Sequence, residues 1–377
     1  MTTTYFLTGC AGFIGSNFVL YMLKKYKEDI RLINLDALTY AGNLENLKDV
    51  ADDPRHIFIK GDIRDKATVS RIMVDYDPDY IINFAAESHV DRSIANPNIF
   101  VETNVLGTVN LLQVAKENWY DAASHSWKPG KKYIQDSTDE VYGALGPDGF
   151  FTEETALSPH SPYSASKASA DHFVKAFHDT YGMPVNITRC SNNYGPFQFP
   201  EKMIPLMINN CLGHRSLPVY GDGLQIRDWL YVEDHCKAID MVARQGKDGE
   251  VYNIGGHNEK TNLFIVNTII SHLAERTGDK AINTGLITHV TDRLGHDRRY
   301  AIDPSKIKSE LSWEPETPFE AGIVKTIDWY LSNPEWVEHA TSGAYQSYYE
   351  QMYGARTAKT SETGETAHVA DSKEARI

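Results

Sequence analysis

The chain has 377 residues, with 51 acidic against 37 basic side chains and a formal charge of −14. That length can bury a large core in one big or two ordinary domains, and the acidic balance argues against nucleic acid or an anionic membrane as the main partner. No stretch approaches the ~18 apolar residues of a membrane span and the N-terminus lacks a basic leader, so the expectation is a soluble, cytoplasmic protein.

Tyr5-Phe6-Leu7 reads as a short strand running into Thr8-Gly9-Cys10-Ala11-Gly12-Phe13-Ile14-Gly15. A helix pattern follows, with Ile14, Phe18 and Leu23 on one side and Lys24-Lys25 at its end. Glycines at 9, 12 and 15 between strand and helix form a variant of the dinucleotide fingerprint: a tight turn, close approach of backbone to a pyrophosphate, and a helix N-terminus facing it. A second strand, Arg31–Leu35, ends at Asp36, where a carboxylate can accept hydrogen bonds from ribose hydroxyls and would repel a 2′-phosphate. The cofactor expected is therefore NAD rather than NADP.

Further strands are predicted at His56–Ile59, ending in Gly61-Asp62-Ile63, and at Tyr80–Phe84, ending in Ala85-Ala86-Glu87-Ser88-His89. Pro97–Asn118 reads as one long helix. Strands at Lys132–Gln135 and Val185–Arg189 flank a helix over Tyr163–Tyr181. This alternation marks an α/β, doubly wound parallel sheet. Residues 1–190 then form an NAD-binding Rossmann domain, with segments near 228–255 returning to it, and 191–350 form a smaller part that grips the substrate. The four cysteines (10, 190, 211 and 236) show no C-x-x-C pair or metal-like spacing and read as reduced thiols, with no metal expected. Cys10, inside the glycine loop, is the most reachable of the four, although small-residue packing is the preferred reading for it.

The chemistry concentrates between Ser137 and Lys167. Tyr163 and Lys167, four residues apart, share a helix face one turn apart. A free phenol has a pKa of about 10, and a neighbouring ammonium favours its ionised form, which makes it a usable base. Thr138-Asp139-Glu140 follows a strand end, where open α/β sheets bind their ligands, and supplies a hydroxyl and a pair of carboxylates. Beyond Cys190 the rhythm breaks into turn-rich loops. Lys202, Arg227 and Arg293, on three of them, are candidate phosphate contacts. Pro315–Pro334 reads as a terminal helix, and 354–377, almost free of apolar residues, as a disordered tail.

Over roughly residues 1–350 these motifs resemble the dTDP-glucose 4,6-dehydratases of the extended short-chain dehydrogenase/reductases. The resemblance is carried by Thr8–Gly15, Leu38–Asn43, Ala85–Ser93, Ser137–Gly143, Ser191–Pro196, Arg227–Val232 and Gly295–Tyr300. It implies a hydro-lyase working on dTDP-glucose, with NAD taking a hydride from the sugar C4 and returning it to C6. Tyr163 would take the O4 proton with Thr138 and Lys167 assisting; Glu140 would be the base at C5 and Asp139 the acid at the departing C6 hydroxyl. The resemblance sets Gly9, Gly12, Phe13, Ile14, Gly15, Asp36, Ala37, Leu38, Thr39, Asp62, Ile63, Phe84, Ala85, Ala86, Ser88, Thr103, Tyr163, Lys167 and Asn193 around NAD. It sets Ser88, Thr138, Asn192, Lys202, Met203, Pro218, Tyr220, Arg227, Asn262, Arg293 and His296 around the nucleotide sugar. It also implies a homodimer through the helices near 100–118 and 163–180. Two rivals remain at this point: a nucleotide-sugar 4-epimerase, against which the Asp139-Glu140 pair argues, and a non-catalytic NAD-binding regulator.

Overall fold

Parallel strands covered on both faces must be apolar along their whole length, and the early strands of this chain are. The computed structural model describes residues 2–342 and 344–349. In it β1 (Thr3–Thr8), β2 (Ile30–Asp36), β3 (His56–Lys60), β4 (Tyr80–Asn83), β5 (Lys132–Thr138), β6 (Val185–Cys190) and β7 (Val251–Ile254) form one sheet in the order β7-β6-β5-β4-β1-β2-β3. Every pairing in it is parallel, so all seven strands finish on one edge.

Side-chain alternation along β1 divides the core. Tyr5 and Leu7 pack with Phe18 and Met22 of the Phe13–Lys25 helix and Ile239 of the Val232–Gln245 helix. Phe6 packs on the other face with Ile72, Leu111, Val174 and Phe177 from three further helices. The doubly wound sheet expected from the sequence is present. Its strand order reverses between β1 and β4, which opens a crevice at their carboxyl ends.

A second core gathers residues from beyond position 191. Tyr194, Ile204, Ile208, Trp229, Ile265, Ile269, Phe319, Ile323 and Trp336 pack together. Two small sheets accompany it: Leu217–Tyr220 beside Ile287–Val290, and Ile226–Tyr231 between Glu259–Thr261 and Asn192–Tyr194. Trp336 also reaches the first half of the chain. Its indole N–H donates to Asn46 Oδ1 at 2.7 Å, and Asn46 Nδ2 donates to the Ala11 carbonyl in the glycine loop at 2.9 Å.

Two expectations are corrected, and the preferred packing reading of Cys10 is met. Pro97–Asn118 is not one regular helix: α-helical Pro97–Phe100 passes into a π-helical stretch, Val101–Gly107, before Thr108–Trp119 resumes. The terminal helix spans Phe319–Ser332 and a separate one Pro334–Ala340, because prolines at 315, 318 and 334 lack the N–H needed to continue a helix. Cys10 has no solvent exposure, so the packing reading holds for it, and all four cysteines are free and buried. Among the described residues no helix is long and apolar enough to cross a membrane. The expected disordered tail, 354–377, lies outside the described residues.

Candidate active site

A cavity of about 310 Å³ follows the carboxyl ends of the strands from Asp36 to Tyr163. Its floor is the glycine loop. Gly9 holds φ +73°, and a Cβ there would lie 2.6 Å from Ala85 Cα and 2.7 Å from Ala85 N. Backbones of the β1 and β4 loops thus touch, which only glycine permits. Gly12, the residue before the Phe13–Lys25 helix, gives that helix no side-chain cap. A helix start open in this way suits a pyrophosphate. Asp36 accepts from Ala11 N–H and Leu38 N–H, both at 2.8 Å, one on each carboxylate oxygen. Each oxygen keeps a lone pair for a ribose hydroxyl. Burial raises this carboxyl above its ordinary range, although the two backbone bonds pull the other way.

Gly9, Gly12, Phe13, Ile14, Gly15, Asp36, Ala37, Thr39, Asp62, Ile63, Phe84, Ala85, Ala86, Ser88, Thr103, Tyr163, Lys167 and Asn193 all line this cavity. Leu38 does not: its backbone takes φ +53° to bond Asp36, and its side chain packs against the first core. Thr103 reaches the wall from the π-helical stretch. Ser137 Oγ, Asp139 Oδ2 and Asn192 Oδ1 are buried there without a protein partner. Unpaired buried polar atoms are costly, so a cavity lined by several is built for a polar ligand. The residues present therefore fit NAD.

The proton-transfer groups sit at the end of β5. Thr138 caps the short helix Asp139–Tyr142, its hydroxyl accepting from Glu140 N–H at 3.3 Å. Tyr163 comes from the Pro162–Tyr181 helix, started by a Ser161/Ser164 capping box. Its hydroxyl is hydrogen-bonded to Thr138, yet burial, followed by the charges of Glu140, Cys190 and Asp136, pushes the phenol well above its ordinary range. The lowering expected from Lys167 is not among these influences; that ammonium donates to the Asp136 carbonyl at 2.6 Å. With protein groups alone, Tyr163 is a protonated phenol. Asp139 is also pushed well above the carboxylate range, first by burial, then by Glu140 and Asp228. A buried carboxylic acid that keeps its proton is a proton donor.

A second cavity, about 160 Å³, opens on the far side of Glu140. Met203, Pro218, Tyr220, Arg227, Asn262, Arg293 and His296 line it; Asn192 and Lys202 line both cavities, while Ser88 and Thr138 line the first. The three cations proposed for a phosphate therefore converge. Lys202 Nζ donates to the Ser88 carbonyl at 2.7 Å, and Arg293 Nε is buried without a partner. His296 is pushed down to about 4, chiefly by burial and then by Arg293, so at neutral pH it adds no further charge. His89, Asp91, Cys190, Gln198 and Glu201 also line the two cavities and were not expected. Glu201 is legible only as the neighbour of Lys202. Its buried carboxylate is 3.0 Å from Arg92 Nε.

The comparisons agree with this geometry. The family model described as GDP-mannose 4,6 dehydratase matches residues 6–326. A dTDP-glucose 4,6-dehydratase from Salmonella typhimurium is 53% identical over 359 residues, covering 93% of this chain and 99% of its own. The solved dTDP-glucose 4,6-dehydratase of Bacillus anthracis, in complex with NAD, has a TM-score of 0.80 at 50% identity, with 90% of this chain and all of that one covered. The Streptomyces venezuelae enzyme, solved with NAD and dTDP, has a TM-score of 0.82 at 44% identity and the same coverage. With nearly the whole described chain matched in this way, it belongs to the dTDP-glucose 4,6-dehydratases, within the GDP-mannose 4,6 dehydratase family.

Proposed function

We propose that this chain is an NAD-dependent hydro-lyase that converts dTDP-glucose to dTDP-4-keto-6-deoxyglucose and water, feeding deoxysugar synthesis. The observation that carries the reading is the position of Glu140 in the wall shared by the two cavities, with Asp139 and Thr138 beside it. The first cavity holds the dinucleotide and the second the nucleoside diphosphate, so the sugar ring lies against this triplet. In functional terms, 1–190 with the returning segments near 228–255 hold the cofactor, and 191–350 mainly hold the substrate.

NAD, when bound there, supplies the hydride acceptor at C4 and the hydride donor at C6. Tyr163 accepts the O4 proton as the phenolate, a form that the Thr138 hydrogen bond favours against burial and that the positive charge of a bound NAD would favour further, with Lys167 assisting one helical turn away. The new ketone acidifies the neighbouring C5–H, which Glu140 removes. Asp139 protonates the C6 hydroxyl as it leaves as water. Lys202, Arg227 and Arg293 neutralise the diphosphate that the overall charge of the chain would otherwise repel.

Two further statements belong to the proposal. The chain is cytoplasmic, which its four free thiols favour. It acts as a homodimer: Val101, Leu106 and Phe173 expose large apolar side chains on the two helical segments that would pair. Incubation with dTDP-glucose carrying deuterium at C4 tests the reaction. Mass spectrometry should find a product lighter by one water with the label at C6; label returned to C4 with no water lost would make the chain an epimerase.

A further inference from the structure

Residues 298–300 run beside the start of the Ile226–Tyr231 strand. Ile226 N–H donates to the Arg298 carbonyl at 2.9 Å, and Tyr300 N–H to the Ile226 carbonyl at 3.1 Å. This register brings Asp297 against Arg227, the buried cation of the second cavity. Arg227 Nη2 donates to the Asp297 carbonyl at 2.9 Å and Nη1 to the Ile226 carbonyl at 2.7 Å. Its guanidinium lies 4.1 Å above the Tyr300 ring. The Tyr300 hydroxyl donates to Asp297 Oδ2 at 2.5 Å, which fixes that ring.

The other carboxylate oxygen binds a different segment. Asp297 Oδ1 meets His160 Nδ1 at 2.6 Å, and His160 precedes Ser161, the cap of the Tyr163 helix. A second contact joins the same two segments: Gly295 has φ +65°, and a Cβ there would stand 3.0 Å from the His160 carbonyl. One carboxylate thus joins the aromatic platform under the substrate cation to the start of the helix bearing the phenol.

We propose that Asp297 is a positioning residue: it aims Arg227 at the anionic part of the substrate and, through His160, keeps the Asp292–Tyr300 loop in register with the Tyr163 helix. The inference rests on the nucleotide-sugar reading above. Two of the five Arg227 donors are spent on carbonyls, so three remain for a phosphate. Arginine recognises phosphate through a planar fork, and a fork whose platform turns loses its aim. Neither Asp297 nor His160 lines either cavity. Their loss should therefore be felt in binding far more than in the chemical step.

The test uses the full chain with NAD. In Asp297→Ala the KM for dTDP-glucose and the Kd for dTDP should rise about tenfold, the cost of one lost charge-assisted bond. The kcat and the Kd for NAD should move less than threefold. Asp297→Asn, which can still accept from Tyr300, should recover most of the affinity. His160 is half-exposed, so His160→Ala should fold normally; its KM should rise severalfold, and combining it with Asp297→Ala should add little, since both act through one contact. Wild-type protein that binds no dTDP would sink the nucleotide-sugar reading itself. Wild type that binds dTDP while Asp297→Ala binds it equally well would sink only the role of Asp297. Equal losses in kcat, NAD affinity and KM would mean general damage and also overturn it, as would strict additivity of the two variants.

Discussion

Gly9→Ala tests how closely the cofactor cleft is built. The added Cβ would lie 2.6 Å from Ala85 Cα, where ordinary contacts begin near 3.4 Å, and its three nearest neighbours all belong to backbone. The β1 and β4 loops must therefore part by roughly 0.8 Å, a forced overpacking that typically costs about 1–3 kcal/mol. Alanine at φ +73° adds about 1–2 kcal/mol. Together these come to about 2–5 kcal/mol. With an unfolding entropy near 2.1 cal/mol/K per residue, a chain of this size loses about 3–6 °C of Tm. The displaced Ala85 backbone is the wall along which the cofactor runs, and a misplacement approaching 1 Å costs on the order of 100-fold in turnover. Calorimetric Tm, NAD titration and steady-state rates give the three readouts. A Gly9→Ala protein that binds NAD within threefold of wild type and melts within 1 °C of it would show that the two backbones have room to spare.

Three further outcomes follow from the site. Glu140→Gln should still oxidise C4, so NADH absorbance should build up on mixing with dTDP-glucose while product formation falls at least 100-fold; no NADH signal would move Glu140 into binding or folding. Asp139 has a folded pKa above its unfolded one, so the folded chain keeps a proton that the unfolded chain releases above about pH 4, and its contribution to stability falls as pH rises. Asp139→Asn, which cannot ionise, should therefore melt higher than wild type at pH 8 by a margin that vanishes near pH 4, while losing C6 elimination; a lower Tm at pH 8 would contradict the assigned proton. Asp36→Ala should lose most NAD affinity and narrow the preference over NADP, both read by titration calorimetry, and unchanged NAD binding would remove Asp36 from the ribose.

Much of this was written in local pattern. Continuous apolar runs alternating with 3.6-residue periodicity specified the parallel sheet. Gly9, Gly12, Gly15 and Asp36 lie within 28 residues of one another in sequence, and one strand–helix–strand unit brings them together. The π-helical stretch was not legible, because its wider turn depends on how Val101–Gly107 packs and leaves little mark on side-chain periodicity. Leu38 was set beside NAD by the resemblance, and the motif alone does not carry the positive φ with which its side chain packs against the core. Tyr163 was expected to feel Lys167 from helix spacing alone; only tertiary structure shows that ammonium bonded to the Asp136 carbonyl. Glu201, His89 and Asp91 were given no place in the site for a similar reason. Their partners lie in distant segments, and a lone charged residue in a loop most often faces solvent.

The bond from Trp336 to Asn46 spans 290 positions, and Asn46 in turn holds the Ala11 carbonyl of the glycine loop. At about 5–20 residues per second, a ribosome needs roughly 15–60 s to travel that distance. For that interval the glycine loop and Asn46 are already made while the brace behind the loop is missing, and even β7, the last strand of the sheet, precedes Trp336 by about 80 residues. Capture of NAD in its final geometry thus comes at the end of synthesis, and a chain released early, short of Trp336, would carry every residue of the fingerprint and hold the dinucleotide poorly.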